Sequence, residues 1–274
     1  MNSLSKEFST KNRQLYVLKF SGKIIFDQNL ITQLIDDLAS LYAQGKDLLI
    51  IHGAGTLITE LCEKLAMPVQ FHQGQRITDQ NILDIVHMVM MGKVNPSFTL
   101  ALTRAGVNAI GLSGHSSHLL LAKPLISAKH LGFVGEITQV NTDLIRVLLS
   151  AHLMPVIAPL AIDSSGQSYN INADNAAAKI AIALGADKLF FFSDVSGLYE
   201  DLNDENSLIP YLSRQDLKTK LENTIISGGM LPKLQSCLDA LENGVKQVCI
   251  LNVQTPKNLI NSINKNQSIG TIFE

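Results

Sequence analysis

The amino-acid sequence predicts an α/β fold, a three-layer αβα sandwich in which helices cover both faces of a mostly parallel central sheet. Short apolar runs alternate with amphipathic stretches along most of the 274 residues, which is the pattern of repeated βαβ units. Hydrophobic residues make up 46% of the chain and charged residues 17%, so a large core is available and disorder is disfavoured. The length suits one large domain or two lobes that share a sheet.

The predicted strands and helices follow one another in regular alternation. The predicted strands are 15–20, 47–52, 107–112, 154–160, 188–193 and 246–251. The predicted helices are 29–42, 56–65, 143–151, 174–184 and 231–242. Residues 119–140 alternate between apolar and polar and carry Gly132 and Gly135, which predicts a hairpin. Residues 200–220 are polar and predict a loop with a short helix.

Composition and charge limit the partners and the compartment. The net charge of −2 gives no electrostatic reason to expect nucleic acid or an anionic membrane. The first fourteen residues are polar, and no run approaches the roughly 18 apolar residues of a membrane span. Cys62, Cys237 and Cys249 are widely spaced in apolar contexts, which predicts buried free thiols and a reducing compartment. The sequence therefore predicts a cytoplasmic protein.

Two glycine turns follow predicted strands, where ligands of open α/β sheets bind. Residues 19–22, Lys-Phe-Ser-Gly, put an ammonium group beside main-chain N–H groups that can bind an anion. The alternative is a surface lysine in an ordinary turn. Residues 52–56, His-Gly-Ala-Gly-Thr, let a ligand approach the main chain, and Thr56 could cap the next helix. Here the alternative is a tight turn, since neither a Rossmann fingerprint nor GxxxxGK[ST] is present.

Polar residues are also concentrated before two predicted helices. Asn170 and Asn172 lie two positions apart and point to the same side of an extended segment. Asp174 follows at the start of a helix, where it could serve as a cap. This polar density exceeds what one cap requires, so we predict that both asparagines bind a ligand. Lys233 follows Gly228-Gly229 in the first turn of another helix, where a cation opposes the helix dipole and indicates an anion nearby.

In this order, these segments resemble the amino acid kinase family. The segments that carry the resemblance are 19–22, 53–55, 74–79, 91–95, 132–136, 155–159, 170–174, 194–198 and 228–233. The strings Asn-Ile-Asn-Ala-Asp and Gly-Gly-Met-x-Pro-Lys at this spacing are specific, whereas the glycine turns alone would be weak. The resemblance implies transfer of the γ-phosphoryl group of ATP to the side-chain carboxylate of N-acetyl-L-glutamate in arginine biosynthesis. It also implies Mg²⁺ held mainly through the nucleotide phosphates, with no metal-ligating residue of the protein.

The resemblance implies a role for each motif. Lys19 and Lys233 would flank the transferred group, and Asp174 would hold both ammonium groups. Arg76 and Asn170 would bind the α-carboxylate of the substrate. The second glycine turn, residues 53–55, would bind its reacting carboxylate. The residues expected to bind substrate are Gly53, Ala54, Gly55, Arg76, Asn170 and Asn172. Those expected to bind the nucleotide are Ser21, Gly22, Asp194, Val195, Ser196, Gly197, Leu198, Tyr199, Ile225, Ile226, Ser227, Gly228 and Gly229.

The resemblance further implies two lobes and a homodimer. Residues 1–180 would form an N-terminal lobe that binds the amino acid and carries the dimer interface. Residues 181–274 would form a C-terminal lobe that binds ATP. The helix that begins near Thr78 would make the dimer contact. The candidate contact residues are Ile85, Val89 and Val94.

Two departures from the family pattern leave other functions open. Ser21 stands where a glycine is usual, and Ala54 replaces the middle glycine of the second turn. A Cβ at residue 54 would be strained if its φ were positive. One alternative is a kinase that acts on another carboxylate, of the aminoadipate or aspartate type. The other is a catalytically weak amino-acid sensor with the same fold.

Overall fold

The computed structural model describes residues 13–72, 74–125, 130–193, 195–201, 204–223, 230–252, 258–264 and 270–274. The first strands in chain order are β1 (Leu15–Phe20), β2 (Asp47–His52), β3 (Phe71–His72), β4 (Gln75–Arg76), β5 (Ala109–Ser113), β6 (Leu120–Pro124), β7 (Gly135–Val140) and β8 (Met154–Ala158). They are followed by β9 (Leu160–Ile162), β10 (Ser168–Asn170), β11 (Lys188–Ser193), β12 (Leu198–Tyr199), β13 (Leu208–Ile209), β14 (Tyr211–Leu212), β15 (Gln247–Asn252) and β16 (Gly270–Phe273).

Helices connect these strands in the alternation that the sequence predicts. The α-helices of the described residues are α1 (Gln28–Ala43), α2 (Gly55–Lys64), α3 (Gln80–Val89), α4 (Asn95–Arg104), α5 (Thr142–Ser150), α6 (Ala173–Leu184), α7 (Arg214–Asn223), α8 (Met230–Glu242) and α9 (Asn258–Asn264). A 3₁₀ turn, Gly22–Phe26, follows β1, and a π-helical turn, Met90–Val94, joins α3 to α4.

The central sheet of the described residues has the strand order β14-β16-β15-β11-β1-β2-β8-β5. Its neighbouring strands are parallel except β15 and β16, which are antiparallel. Successive residues of β1 point to opposite faces: Leu18 packs in the layer of α1 to α4, and Val17 packs in the layer of α5, α6 and α8. The predicted three-layer sandwich with a mostly parallel sheet is confirmed.

Two predicted segments have a different course in the structure. The predicted strand 154–160 divides at Pro159 into β8 and β9, which belong to different sheets. Proline lacks the N–H that a strand would donate to its neighbour, so the ladder ends there. The predicted hairpin is confirmed as the antiparallel pair β6 and β7, within a second sheet of order β10-β9-β6-β7.

Burial confirms one expectation and corrects another. Cys62, Cys237 and Cys249 are free and buried, as predicted. The residues offered as dimer contacts, by contrast, lie in the core of their own chain. The three are Ile85, Val89 and Val94, at 4%, 4% and 0% exposure. That choice was wrong, because these residues lie on the face of α3 and the π-turn that packs toward the sheet.

Across the described ranges, no helix combines the length and apolarity needed to span a membrane.

Candidate active site

Three chain segments leave the same edge of the sheet and define the site. β1 lies between β2 and β11 and is parallel to both, so the carboxyl ends of all three strands meet at one edge. Lys19 is paired in register with Ile51 of β2 and Phe191 of β11. Its side chain points to the same face of the sheet as Val17, toward α6.

The two glycine turns pack directly on each other. The Gly53 N–H donates to the Phe20 carbonyl at 2.8 Å. A Cβ built on Gly22 would lie 2.0 Å from the Gly53 oxygen, a distance that no side chain tolerates. Residue 22 must therefore be glycine for the first turn to lie against the second.

This contact predicts the effect of adding one methyl group. Gly22→Ala should lower kcat about tenfold, because the two turns must separate and reacting groups lose their alignment. We expect overpacking to lower the unfolding free energy by about 1–3 kcal/mol. Gly92→Ala is the matched control, since its Cβ position has no described atom within 4 Å apart from its chain neighbours and the backbone of its own helix. Steady-state kinetics and urea denaturation of both variants test this, and equal kcat values would contradict it.

Both lysines reach Asp174 from separate parts of the chain. Lys19 Nζ lies 2.8 Å from Asp174 Oδ1, and Lys233 Nζ, from the first turn of α8, donates to Oδ2 at 2.9 Å. The cap of α6 is Asn172, whose Oδ1 accepts from the N–H groups of Asp174 and Asn175. The suggestion that Asp174 could serve as the cap is thus wrong, and its carboxylate is available to the two ammonium groups.

The charges of the three residues stabilise one another. Burial raises the pKa of Asp174, but the two ammonium groups and their hydrogen bonds lower it by a larger amount. The resulting pKa is about 2, below the ordinary value for an aspartate. Asp174 is therefore ionised at neutral pH, and its single negative charge stands between two positive ones. The remaining positive charge suits a bound polyanion.

A cavity of about 230 Å³ opens beside Lys19 and Asp174. Its size suits a small metabolite. The substrate-binding residues predicted from the sequence all belong to its lining. The lining consists of Lys19, Ser21, Gly53, Ala54, Gly55, Ile58, Phe71, Gly74, Gln75, Arg76, Met90, Val134, Asn170, Ile171, Asn172, Ala173 and Asp174.

Arg76, on β4, brings a buried guanidinium group into this lining. Its Nη2 donates to the Gly55 carbonyl at 2.9 Å and to Thr59 Oγ1 at 2.8 Å, and the ring of Phe71 covers its face at 4.7 Å. Nη1 is buried with no hydrogen-bond partner among the described residues. A buried donor without a partner costs free energy, so an anionic ligand would satisfy it.

The polar wall beside Arg76 is fixed by further hydrogen bonds. Asn170 Nδ2 donates to Thr78 Oγ1 at 3.2 Å, and the Thr78 hydroxyl donates to the Arg76 carbonyl at 2.9 Å. The sequence interpretation missed Thr59 and Thr78, because isolated threonines carry no recognisable pattern.

The second glycine turn forms the start of α2. The helix begins at Gly55, and Ala54 occupies the cap position with φ −148°. This φ is negative, so the Cβ of Ala54 is not strained. Thr56 lies inside the helix, so the prediction that it caps α2 is wrong. No side-chain cap hydrogen bond forms here among the described residues, which leaves first-turn N–H groups for a ligand.

The predicted nucleotide side is described in part. Asp194, Ile225, Ile226, Ser227, Gly228 and Gly229 lie outside the described residues. Val195, Ser196, Gly197, Leu198 and Tyr199 follow β11 at the same sheet edge as the lysines. The Leu198 N–H donates to Thr271 Oγ1 at 2.8 Å, which ties this turn to β16. These residues do not belong to the lining of the cavity beside Lys19.

A buried histidine lies behind the second glycine turn. His52 is 0% exposed, and burial lowers its pKa to about 4. Its Nε2 lies 3.0 Å from Asn95 Nδ2. Sequence reasoning assigned no role to either residue, although Asn95 belongs to one of the segments that carry the family resemblance and His52 directly precedes another.

The buried ring predicts a pH dependence of stability. Its folded pKa lies below the ordinary 6.5, so the unfolded chain binds the proton more tightly and stability falls as pH drops from 6.5 toward 4. Between pH 7 and pH 5 we expect a loss of roughly 2 kcal/mol from this residue. Chemical denaturation at both pH values should show that the unfolding free energy falls less between pH 7 and pH 5 in His52→Gln than in wild type. The control, His118→Gln at an exposed position, should lose as much as wild type. A loss unchanged in His52→Gln would contradict the prediction.

Fold and site together define an α/β protein whose site, at the carboxyl edge of a parallel sheet, suits an anionic small molecule and a polyanion. A family model described as "Amino acid kinase family" matches residues 14–252. The chain belongs to the amino acid kinase family.

Named relatives share most of the chain. A chloroplastic acetylglutamate kinase of Arabidopsis thaliana is 38% identical over 257 residues, which cover 94% of this chain and 74% of the relative. An acetylglutamate kinase of Petrotoga mobilis is also 38% identical, with 94% and 86% covered. Among solved structures, N-acetylglutamate synthase from Neisseria gonorrhoeae, complexed with coenzyme A and N-acetyl-glutamate, is similar with TM-score 0.83 and 26% identity. That similarity covers 95% of this chain and 59% of the synthase.

Proposed function

We propose that this protein has acetylglutamate kinase activity: it phosphorylates the side-chain carboxylate of N-acetyl-L-glutamate with ATP to give N-acetylglutamyl 5-phosphate in arginine biosynthesis. The observation that carries the proposal is the contact of Lys19 and Lys233 with the two oxygens of Asp174, beside a cavity that contains Arg76. The names of the relatives at 38% identity support this choice of acid.

The cavity supports an acid with two carboxylates. Arg76 offers a buried N–H to the α-carboxylate, and Asn170 stands on the same wall. Because Nη2 already donates to Gly55 and Thr59, the α-carboxylate would accept from Nη1, and this charge-assisted pairing would fix the orientation of the substrate. The second carboxylate would then reach the first-turn N–H groups of α2, near Lys19.

The reaction requires positioning and charge neutralisation. The substrate carboxylate is ionised at pH 7, so it needs no general base. One of its oxygens forms a bond to the γ-phosphorus, the bond from that phosphorus to the β,γ-bridging oxygen breaks, and ADP departs with that electron pair. Lys19 and Lys233 neutralise charge on the transferred group and hold it in line. Asp174 holds both ammonium groups in place.

ATP would lie on the side of the lysines that faces the turn after β11. Main-chain N–H groups at Ser21 and Gly22 would bind its phosphates, with Val195 to Tyr199 toward the nucleoside. The oxygens of Asp174 already contact ammonium groups, so we place Mg²⁺ on the phosphates, whose charge it neutralises. Across the described residues, no cluster of three or more histidine, cysteine or acidic residues suits a metal.

No observation favours the other acids or the sensor. The two departures from the family pattern leave the turns intact, because Ala54 has a negative φ and Ser21 keeps its N–H. Ser21 Oγ accepts from the Lys23 N–H at 3.4 Å as the cap of the 3₁₀ turn.

We also propose the lobe division at residue 180, a cytoplasmic location and a homodimer. Met88 on α3 and Leu100 on α4 are apolar and 55% and 51% exposed, which supports a subunit contact made by these two helices. Light scattering of wild type and Met88→Glu tests the dimer. A monomeric wild type would overturn it.

A hydroxamate assay tests the activity. The protein is incubated with ATP, Mg²⁺, hydroxylamine and one acid at a time: N-acetylglutamate, N-acetylaspartate, aminoadipate or aspartate. We expect acyl hydroxamate with N-acetylglutamate, well above a Lys233→Ala control. Product with another acid alone would overturn the choice of substrate, and no product with any acid would favour the sensor.

A further inference from the structure

The segment from Met91 to Asn95 has no part in the roles proposed so far. α3 leads into the π-helical turn Met90–Val94, and α4 begins at Asn95. A π-turn holds more residues than an α-turn, so it rotates the residues that follow around the helix axis, and such turns are frequent at functional sites. Asn95 is 2% exposed, so its side chain points into the protein.

The amide of Asn95 contacts three strands, β2, β5 and β8. Its Nδ2 lies 2.9 Å from the Val156 carbonyl, 3.3 Å from the Leu112 carbonyl and 3.0 Å from His52 Nε2. Two carbonyl acceptors require a donor, which assigns this atom as nitrogen. A Cβ on Gly111 would lie 2.1 Å from Asn95 Oδ1. The amide therefore fits only because residue 111 has no side chain.

The partner of Asn95 fixes the tautomer of His52. An amide nitrogen only donates, so His52 Nε2 accepts, and the proton of the neutral ring lies on Nδ1. Nδ1 lies 3.4 Å from the Gly53 oxygen, the oxygen against which Gly22 packs. The Gly53 carbonyl is thereby held from two sides.

Holding this oxygen orients the next N–H. The Gly53 carbonyl and the Ala54 N–H belong to one planar trans peptide and point in opposite directions. With the oxygen directed at the ring of His52, the N–H points away from it, and Ala54 lines the cavity. The buried pair thus sets the direction of a donor at the N-terminus of α2.

We propose that His52 and Asn95 are positioning residues for phosphoryl transfer, acting through the Gly53–Ala54 peptide on the reacting end of the bound acid. This inference rests on the proposed function. Neither residue lines the cavity, so both act through the main chain that they hold.

Two substitutions of His52 separate its two hydrogen bonds. His52→Asn keeps a nitrogen near the position of Nδ1 and loses the acceptor for Asn95. His52→Gln keeps an oxygen within reach of Asn95 and loses the donor to Gly53. We expect kcat to fall about tenfold in His52→Gln and less in His52→Asn, with KM for ATP within about twofold of wild type. Leu102→Ala, a buried change farther along α4, is the control for lost stability.

A second measurement does not depend on turnover. In ¹⁵N-histidine-labelled wild type at pH 7, the His52 signals should show protonated Nδ1 and unprotonated Nε2. Gly111→Ala, which displaces Asn95 Oδ1, should lower kcat and shift these signals. This variant keeps His52, so it tests the inference independently of whether the His52 variants fold. Wild-type kcat in His52→Gln or in Gly111→Ala, or a proton on Nε2, would overturn the inference. A wild type that makes no acyl phosphate but shows the expected tautomer would overturn the proposed function instead.

Discussion

Asp174→Asn should lower kcat by about 10²–10³, the effect typical of losing a preorganised electrostatic group. The carboxylate accepts from Lys19 and Lys233 through different oxygens, at 2.8 and 2.9 Å. An amide presents one oxygen and an NH₂ group, so one ammonium group would face a donor instead of an acceptor. That lysine would turn away from the transferred phosphoryl group. Single-turnover kinetics with labelled ATP measure the chemical step directly.

The same substitution should also destabilise the fold. Removing one partner of a buried charge cluster costs roughly 3–5 kcal/mol, because two like charges remain in a poorly solvated site. Chemical denaturation measures this loss and shows whether the variant is folded under assay conditions.

The chain contains a matched control for Asp174. Lys179 of α6 and Asp239 of α8 form an ion pair at 2.9 Å between the two helices that Asp174 and Lys233 connect, but with 39% and 37% side-chain exposure. Asp239→Asn should therefore change stability by less than about 1 kcal/mol and leave kcat near wild type. Equal losses of kcat in both variants would show that the helix contact matters and the carboxylate at the site does not.

The sequence predicts the fold well where the signal is local. The strands of the parallel sheet are buried apolar runs, so β1, β2 and β11 have the predicted bounds. β16 was not predicted from the sequence. Its antiparallel pairing with β15 forms only when the chain turns back after β15, and no local sequence pattern predicts that turn. The division at Pro159 was missed because the apolar run continues across it, although its neighbours enter different sheets.

For the site, the sequence indicates residues by their position at strand ends but not their partners. It predicted the lysines and Asp174 from separate motifs, and the structure supplies the contacts. The sequence left a cap role open for Asp174, since Asn172 and Asp174 are both good caps, and the tertiary contacts with the lysines decide between them. The His52–Asn95 pair could not be predicted from spacing, because the π-turn sets the direction of Asn95.

Arg76→Ala should lower kcat/KM for N-acetylglutamate by roughly 10²–10³, because losing one side of a buried ion pair costs about 2–5 kcal/mol. We expect most of the loss in KM, since the α-carboxylate is bound equally in the ground and transition states. Arg76 is 7% exposed, and its Nη2 is already fixed by Gly55 and Thr59. Arg76→Lys should not recover the lost activity. A lysine ammonium group cannot donate to Gly55 and Thr59 and also to the ligand, as the planar guanidinium group of arginine can.

A change of substrate separates this role from damage to the cavity. 4-Acetamidobutyrate has the acetamide and the reacting carboxylate but lacks the α-carboxylate. Wild type should strongly prefer N-acetylglutamate over this analogue, and Arg76→Ala should have little preference, because the partner of the missing carboxylate is gone. If the variant lost activity equally with both acids, the substitution would have disturbed the Gly55 carbonyl and Thr59 instead. A preserved preference would mean that another group binds the α-carboxylate, and Asn170 would then be the residue to test.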